Sequence, residues 1–447
     1  MSNAIERTEH HQGFTKIERL GLEKVPDHLK TTTAFDYSRI QIAVSVNAGN
    51  VLVPALAVLE GGLSFSAAVL STVIGAVLAF VFVSLLALPG AKYGIPAQYA
   101  IRTMVGTKGA MWITSPVRTI TSLYWFSVQT IGGAYMLQEI LLRAFHIHIP
   151  FIYLSLFLAM IMGYLALVGF HMMKKITAFF TPIMFLSAVV MFYVFFTSTP
   201  TGENHVAIFQ FGSDNSLSMM AFFASLAFVQ YVSGVSSSSD LARYGRSTHH
   251  AFWGILIGNS VGFTITALLG AYTAAAANHW NPFIITSQWT DSTILLFIIM
   301  SAAMMSMITI NLNNAYTGGY SLLNSFPSLG RVKSAMIFGA AGVLLSTYPG
   351  VIDEAEGFIS LLGVFIIPLS AVIVADYTVH KKLNISRNDL MKLADNKNKL
   401  NADASYAIVF GMIIYALIPS SYAPGFISFF VTVFTYVCLK YFRTRRR

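Results

Sequence analysis

Long apolar runs alternate with short polar breaks along most of this chain. The first 37 residues are polar and charged. From Ile40 onward, hydrophobic stretches recur that are long enough to cross a bilayer as helices, which takes roughly 20 mostly apolar residues. Twelve spans are predicted, at about 38–59, 64–88, 116–145, 150–169, 175–197, 217–239, 249–275, 292–322, 334–349, 357–380, 404–421 and 423–442. The expected class is an all-α integral membrane protein. A polar tail (1–37) leads into spans one to five (38–197). Spans six to ten (217–380), a loop (381–403), two last spans (404–442) and a basic tail (443–447) follow.

Composition agrees. Of 447 residues, 55% are hydrophobic and only 11% charged, against about 25% in soluble domains. Mean hydropathy is +0.65. The net charge of +9 does not point to nucleic acid. With the N-terminus placed inside, 27 of the 28 Lys and Arg residues fall in inner loops, helix ends and tails. Only Arg143 lies outside, four residues after Glu139, a spacing at which the two can pair. This asymmetry predicts both termini in the cytoplasm of a multi-pass cell-membrane protein. Cys438 is the only cysteine, so no intrachain disulfide forms.

Two spans are interrupted. The first contains SVNAGN at 45–50 and then Pro54; the sixth contains YVSGVSSSSD at 231–240. Unwound backbone inside a membrane is tolerated where it lines a cavity or is buried in protein. These segments open two consecutive blocks of five spans. Five is odd, so the second block enters from the opposite side, the inverted-repeat pattern in which paired broken helices mark a transporter's central site.

Polar residues inside the spans supply the candidate chemistry. Trp125 and Gln129 sit one turn apart near the middle of the third span. Asn311, Asn313 and Asn314 cluster in the eighth. Gln230, Tyr231 and Ser233 lie at the sixth-span break, and Asn47 and Asn50 at the first. The expected cavity is rich in amides, hydroxyls and rings, and free of buried acids or bases. That suits a neutral, flat, polar ligand, with rings on its faces and amides at its edge. No H-E-x-x-H and no metal cluster supports an enzyme. Two broken helices in one chain fit a carrier better than a channel.

Four stretches carry a resemblance: AKYGIPAQYAIRTMVGTKGA at 91–110, Trp125 with Gln129, SSDLARYGR at 238–246, and GFISLLGVFIIPLSAVIVADY at 357–377. Together they make the chain, from about residue 14 to 442, resemble the nucleobase:cation symporter-1 family, which includes cytosine permeases, hydantoin transporters and purine or allantoin permeases. The run at 311–316 brings it nearest to the cytosine permeases. The resemblance implies a leucine-transporter-like five-plus-five inverted repeat with two extra C-terminal helices, acting as a monomer. It implies that Trp125 and Tyr231 stack on a nucleobase, that Gln129 and Asn50 bond its edge, and that Asn314 does so from the eighth helix, with Asn311 and Asn313 left open. It also implies a sodium site from the carbonyls of Val46 and Gly49 and the hydroxyls of Ser306 and Thr309. Ile310 stands where the family has a further hydroxyl, which leaves sodium and proton coupling both open. No other cofactor is implied. The expected function is cation-coupled uptake of a nucleobase or related heterocycle. The alternative is a symporter of the same superfamily for hydantoin, allantoin, an amino acid or an amine.

Overall fold

A computed structural model describes residues 20–47, 49–165, 167, 170–197, 215–353, 355–394 and 400–445. Arg7, Lys16, Arg19, Lys397, Lys399, Arg446 and Arg447 of the charge count lie outside the described residues. Among the described residues, each of the twelve predicted segments contains helix. The broken first segment is α1 (Ala34–Ser45) and α2 (Leu52–Leu59). There follow α3 (Phe65–Tyr93), the short α4 (Ala97–Val105), α5 (Ser115–Phe145), α6 (Phe151–Leu165) and α7 (Phe170–Thr197). The second broken segment is α8 (Leu217–Val232) and α9 (Ser238–Ala242), joined by a 3-10 turn at Ser233–Ser236. Next come α10 (Thr248–Ala277), α11 (Pro282–Gln288), α12 (Thr293–Ser325), α13 (Gly330–Leu345) and α14 (Ala355–Ala375). The loop at 381–403 carries a short helix, α15 (Arg387–Ala394), before α16 (Ala402–Leu417) and α17 (Pro424–Arg445). Among the described residues, eight helices are long and apolar enough to cross a membrane, and two shorter apolar helices accompany them.

The first break is built by its asparagines. A helix end leaves carbonyls without partners. Here Asn47 Nδ2 donates to the carbonyls of Val44 (2.6 Å) and Ser45 (3.3 Å), and Asn50 Nδ2 donates to Ser45 (2.8 Å). The Thr266 hydroxyl of α10 also donates to Ser45. Side chains thus replace the helical bonds that unwinding gives up, as an apolar setting demands. The second break is stitched by serines: Ser233 Oγ donates to Gln230 O, Ser236 Oγ to Ser233 O and Ser370 Oγ of α14 to Val232 O.

The helices pack as two groups around these breaks. One holds α1, α2, α3, α8, α9 and α10; the other holds α5, α6, α12 and α13. Gly254, Gly258 and Gly262 make a small-residue stripe on α10 that admits α1, the close-approach device of membrane helices. A Cβ at Gly258 would sit 2.7 Å from Ser38 Cα. The Glu139–Arg143 pair expected from spacing forms at 3.0 Å.

The stretch before α1 folds back over one end of the molecule. Thr32 N donates to Tyr244 O and Arg246 N to Thr32 O, making a single parallel bridge between Thr32 and Gly245. Farther back, Arg243 donates to Gly21 O (3.0 Å) and the Tyr320 hydroxyl of α12 donates to Leu20 O.

Candidate substrate site

A cavity of about 130 Å³ lies between the two groups. Trp125, Gln129, Tyr231, Gln230, Ser233, Asn50 and Asn314 all line it. They come from α5, from both breaks and from α12. The volume is below the roughly 300–1,000 Å³ of sites for drug-sized ligands, a space that suits a small solute.

Gln129 is fully buried and its amide is engaged. Its Nε2 donates to Asn47 Oδ1 (2.6 Å), and its Oε1 accepts from the Gly49 amide (3.3 Å). Asn47 Oδ1 also accepts from Asn50 N (2.9 Å), so one oxygen ties the break to α5. Gly49 leaves room for this contact, because a Cβ there would meet Gln129 Nε2 at 2.2 Å and push the amide aside. Across the cavity, Gln230 Nε2 donates to Asn50 Oδ1 (3.3 Å), while Gln230 Oε1 has no partner.

Tyr231 is wedged between Phe80 and Phe263, each ring centroid 4.9 Å away, and its buried hydroxyl is unpartnered. Trp125 is half-buried and takes an edge contact from Tyr124 at 5.1 Å. The three α12 asparagines separate by face. Asn311 points away from the cavity: its Nδ2 donates to Phe126 O (3.1 Å) and Thr130 Oγ1 (2.9 Å) of α5, joining helix to helix. Asn313 and Asn314 line the cavity, and Asn313 Oδ1 is buried without a partner.

The four residues of the expected sodium site do not line the cavity. Val46 and Gly49 lie in the first break. Ser306 Oγ donates to Ala303 O (2.8 Å) and Thr309 Oγ1 to Met305 O (2.7 Å), so each buried hydroxyl keeps oxygen lone pairs free. Oxygen donors of this kind fit a hard cation.

Two expectations need correction. The cavity is not free of charge: Arg118 of α5, 7% exposed, lines it. Arg102, Arg243 and Arg331, which lie at helix ends, are buried as well. The reason is that α5 is preceded by further helical turns at Thr107–Thr114, so Arg118 does not mark a membrane boundary. Nor is the interior free of acids: Asp240, in the short α9, is fully buried; its Oδ1 accepts from Ala97 N (2.8 Å) and Oδ2 has no hydrogen bond. Spacing carried a signal for Arg118, which precedes Trp125 by seven residues and Gln129 by eleven on one helical face. Gln41, Ser45 and Asn259 also line the cavity. Gln41 and Ser45 share a face of α1, while a lone Asn259 within α10 gave no pattern to find.

The family described as permeases for cytosine/purines, uracil, thiamine and allantoin matches residues 24–442. The chain belongs to this family, the nucleobase-cation-symport-1 permeases. It is thus a membrane permease and not an enzyme. It is similar to the hydantoin permease of Microbacterium maritypicum, 24% identical over 321 residues, 67% of this chain and 64% of that one. Similar too are the allantoin permeases of Saccharomyces cerevisiae (24% over 366 residues, 72% and 56%) and Bacillus subtilis (25% over 332 residues, 67% and 66%). The matches span a little over half to two thirds of the curated relatives' own length. Among solved structures, the permease shares its fold with Mhp1, a nucleobase-cation-symport-1 family transporter in a closed conformation with bromovinylhydantoin bound. The TM-score is 0.80 at 16% identity, over 95% of this chain and 96% of that one. A Na+-coupled sialic acid symporter follows with a TM-score of 0.63 at 13% identity, over 91% and 89%.

Proposed function

We propose that this permease imports a nucleobase or closely related heterocycle by cation-coupled alternating access. The observation that carries the reading is the convergence of two rings, Trp125 and Tyr231, and four amides, Asn50, Gln129, Gln230 and Asn314, on one small cavity bounded by both helix breaks. Rings cover the faces of a flat solute, and amides meet its edge in both hydrogen-bonding senses. The twelve helical segments cross the bilayer as a five-plus-five inverted repeat plus two, with both termini in the cytoplasm of the cell membrane. One helix group rocks against the other about the substrate, which passes from outside to inside. The single chain is the working unit. Gln129 plays a double part: to reach a substrate edge it loosens its hold on Asn47 and Gly49, so that binding is felt by the first break.

The coupling ion is sodium at the carbonyls of Val46 and Gly49 and the hydroxyls of Ser306 and Thr309, with Ile310 leaving the site one oxygen poorer. Its test is uptake by proteoliposomes in sodium and sodium-free buffers at two pH values, with cytosine, uracil, hypoxanthine, allantoin and hydantoin as competitors. Saturable uptake that a heterocycle competes and that sodium drives supports the reading. Uptake indifferent to sodium but steeper in a proton gradient moves the coupling to protons. Failure of every heterocycle to compete removes the substrate class and favours an amino acid or amine. A hydantoin or allantoin carrier is the second reading, favoured by the names of the relatives.

A further inference from the structure

Arg118 is the one cation lining the cavity, among the described residues. Its Nη2 donates to Thr317 Oγ1 of α12 at 3.0 Å. Its Nε is buried without a partner. Among the described residues no carboxylate forms an ion pair with it; Asp240 acts on it only through its field, at longer range. A buried guanidinium without a counter-ion is costly, and a missing hydrogen bond raises that cost. A guanidinium offers donors and no acceptor. The cavity's unpartnered amide atoms, Gln230 Oε1 and Asn313 Oδ1, are both acceptors, and the unpartnered Tyr231 and Ser238 hydroxyls can donate or accept. The cavity therefore suits a solute with oxygen facing Arg118 and N–H facing the amides.

We propose that Arg118 sets the substrate class: it receives a carbonyl or ring-anion oxygen, so that the permease selects oxo-heterocycles with alternating carbonyl and imide N–H groups over amino-heterocycles. The proposal rests on the heterocycle reading above. An exocyclic amino group at this point sets donor against donor and leaves the guanidinium unpaired, which is how a buried polar site rejects an analogue. A fixed positive charge in a low-dielectric cavity also repels organic amines. The neutral, cytosine-like ligand expected from sequence therefore gives way to one rich in carbonyl oxygen.

Uracil and cytosine make the sharpest pair, because on the same ring they differ only at one edge, where uracil has a carbonyl beside an N–H and cytosine an amino group beside a bare nitrogen. The experiment measures binding of both, with allantoin, adenine and benzoate, to the purified permease by tryptophan fluorescence. Wild type, Arg118→Gln, Arg118→Lys and Thr317→Val are compared, with a melting curve for each. Wild type should bind uracil and allantoin about 10- to 100-fold tighter than cytosine and adenine, the range for a hydrogen bond to a charged group. Arg118→Gln should collapse that ratio to within about threefold, while Arg118→Lys keeps part of it and Thr317→Val, which frees the guanidinium from its anchor, reduces it. Equal affinities in wild type would overturn the proposal, and that arm needs no variant to fold. A loss shared equally by all ligands in Arg118→Gln would also overturn it, making Arg118 structural. If cytosine and uracil bind equally well, the heterocycle reading stands and only the role of Arg118 falls. If benzoate binds and no heterocycle does, it is the ring reading that fails.

Discussion

Replacing Gly49 by alanine tests the bond between the first break and α5 most directly. The new Cβ meets Gln129 Nε2 at 2.2 Å, where ordinary contact begins at 3.4 Å, so the amide must retreat by about 1.2 Å. That retreat stretches its 2.6 Å bond to Asn47 Oδ1 beyond any hydrogen-bond distance. Both groups are buried, so the loss costs about 1–3 kcal/mol. Gln129→Ala alone forfeits the same bond, and strands the Gly49 N–H as well, for a cost of similar size. The two costs do not add. Once Gln129 is gone, the alanine at 49 enters vacated space, and the double variant should be only slightly less stable than Gln129→Ala. The expected coupling is therefore about 1–3 kcal/mol. The assay is a double-mutant cycle on unfolding free energies in one detergent, by denaturant titration of tryptophan fluorescence. Additivity within about 0.5 kcal/mol would refute the contact as the reason for glycine at this position.

Trp125→Ala should weaken heterocycle binding by more than Trp125→Phe, since phenylalanine keeps an aromatic face; the reverse order in a fluorescence or radioligand titration argues against stacking. Asn311→Ala should lower the melting temperature while leaving relative affinities among heterocycles unchanged, and Asn314→Ala should do the opposite; a specificity change from Asn311→Ala would contradict its placement against α5. In the loop helix α15, burial alone would raise the Asp389 pKa, but hydrogen bonds from Ser386 and Lys381 outweigh it and hold the carboxyl below the ordinary value. A lowered folded-state pKa means that the cap is at full strength above the unfolded value of about 3.9 and is lost as pH falls through the folded value. Asp389→Ala should accordingly speed proteolysis between 386 and 394 at neutral pH, and unchanged cleavage would show that the cap holds nothing in place.

The breaks were legible because helix-breaking chemistry is local: two asparagines and a glycine, then a glycine among serines, cannot hide in an apolar run. The pairing of Trp125 with Gln129 was legible because four residues make one turn. Which asparagine of α12 faces the cavity was not, since neighbouring positions differ by about 100° and the helix's rotation is set by packing against α5. Arg118 was misplaced for a related reason. Counting charges by loop assumes that a span begins at its proline, whereas Pro116 lies within a helical path that starts earlier. Only the structure shows that a cation this near a helix start is covered by α12.

The stretch from Leu20 to Thr32 is held at its ends by residues of both helix groups. Thr32 is bridged to Gly245, beside α9, and Leu20 accepts from Tyr320 of α12. Arg243, at the end of α9, donates both to Gly21 O and to the Tyr320 hydroxyl, so α9, α12 and the stretch meet in one knot. In the proposed rocking cycle that knot is where the two groups would have to part.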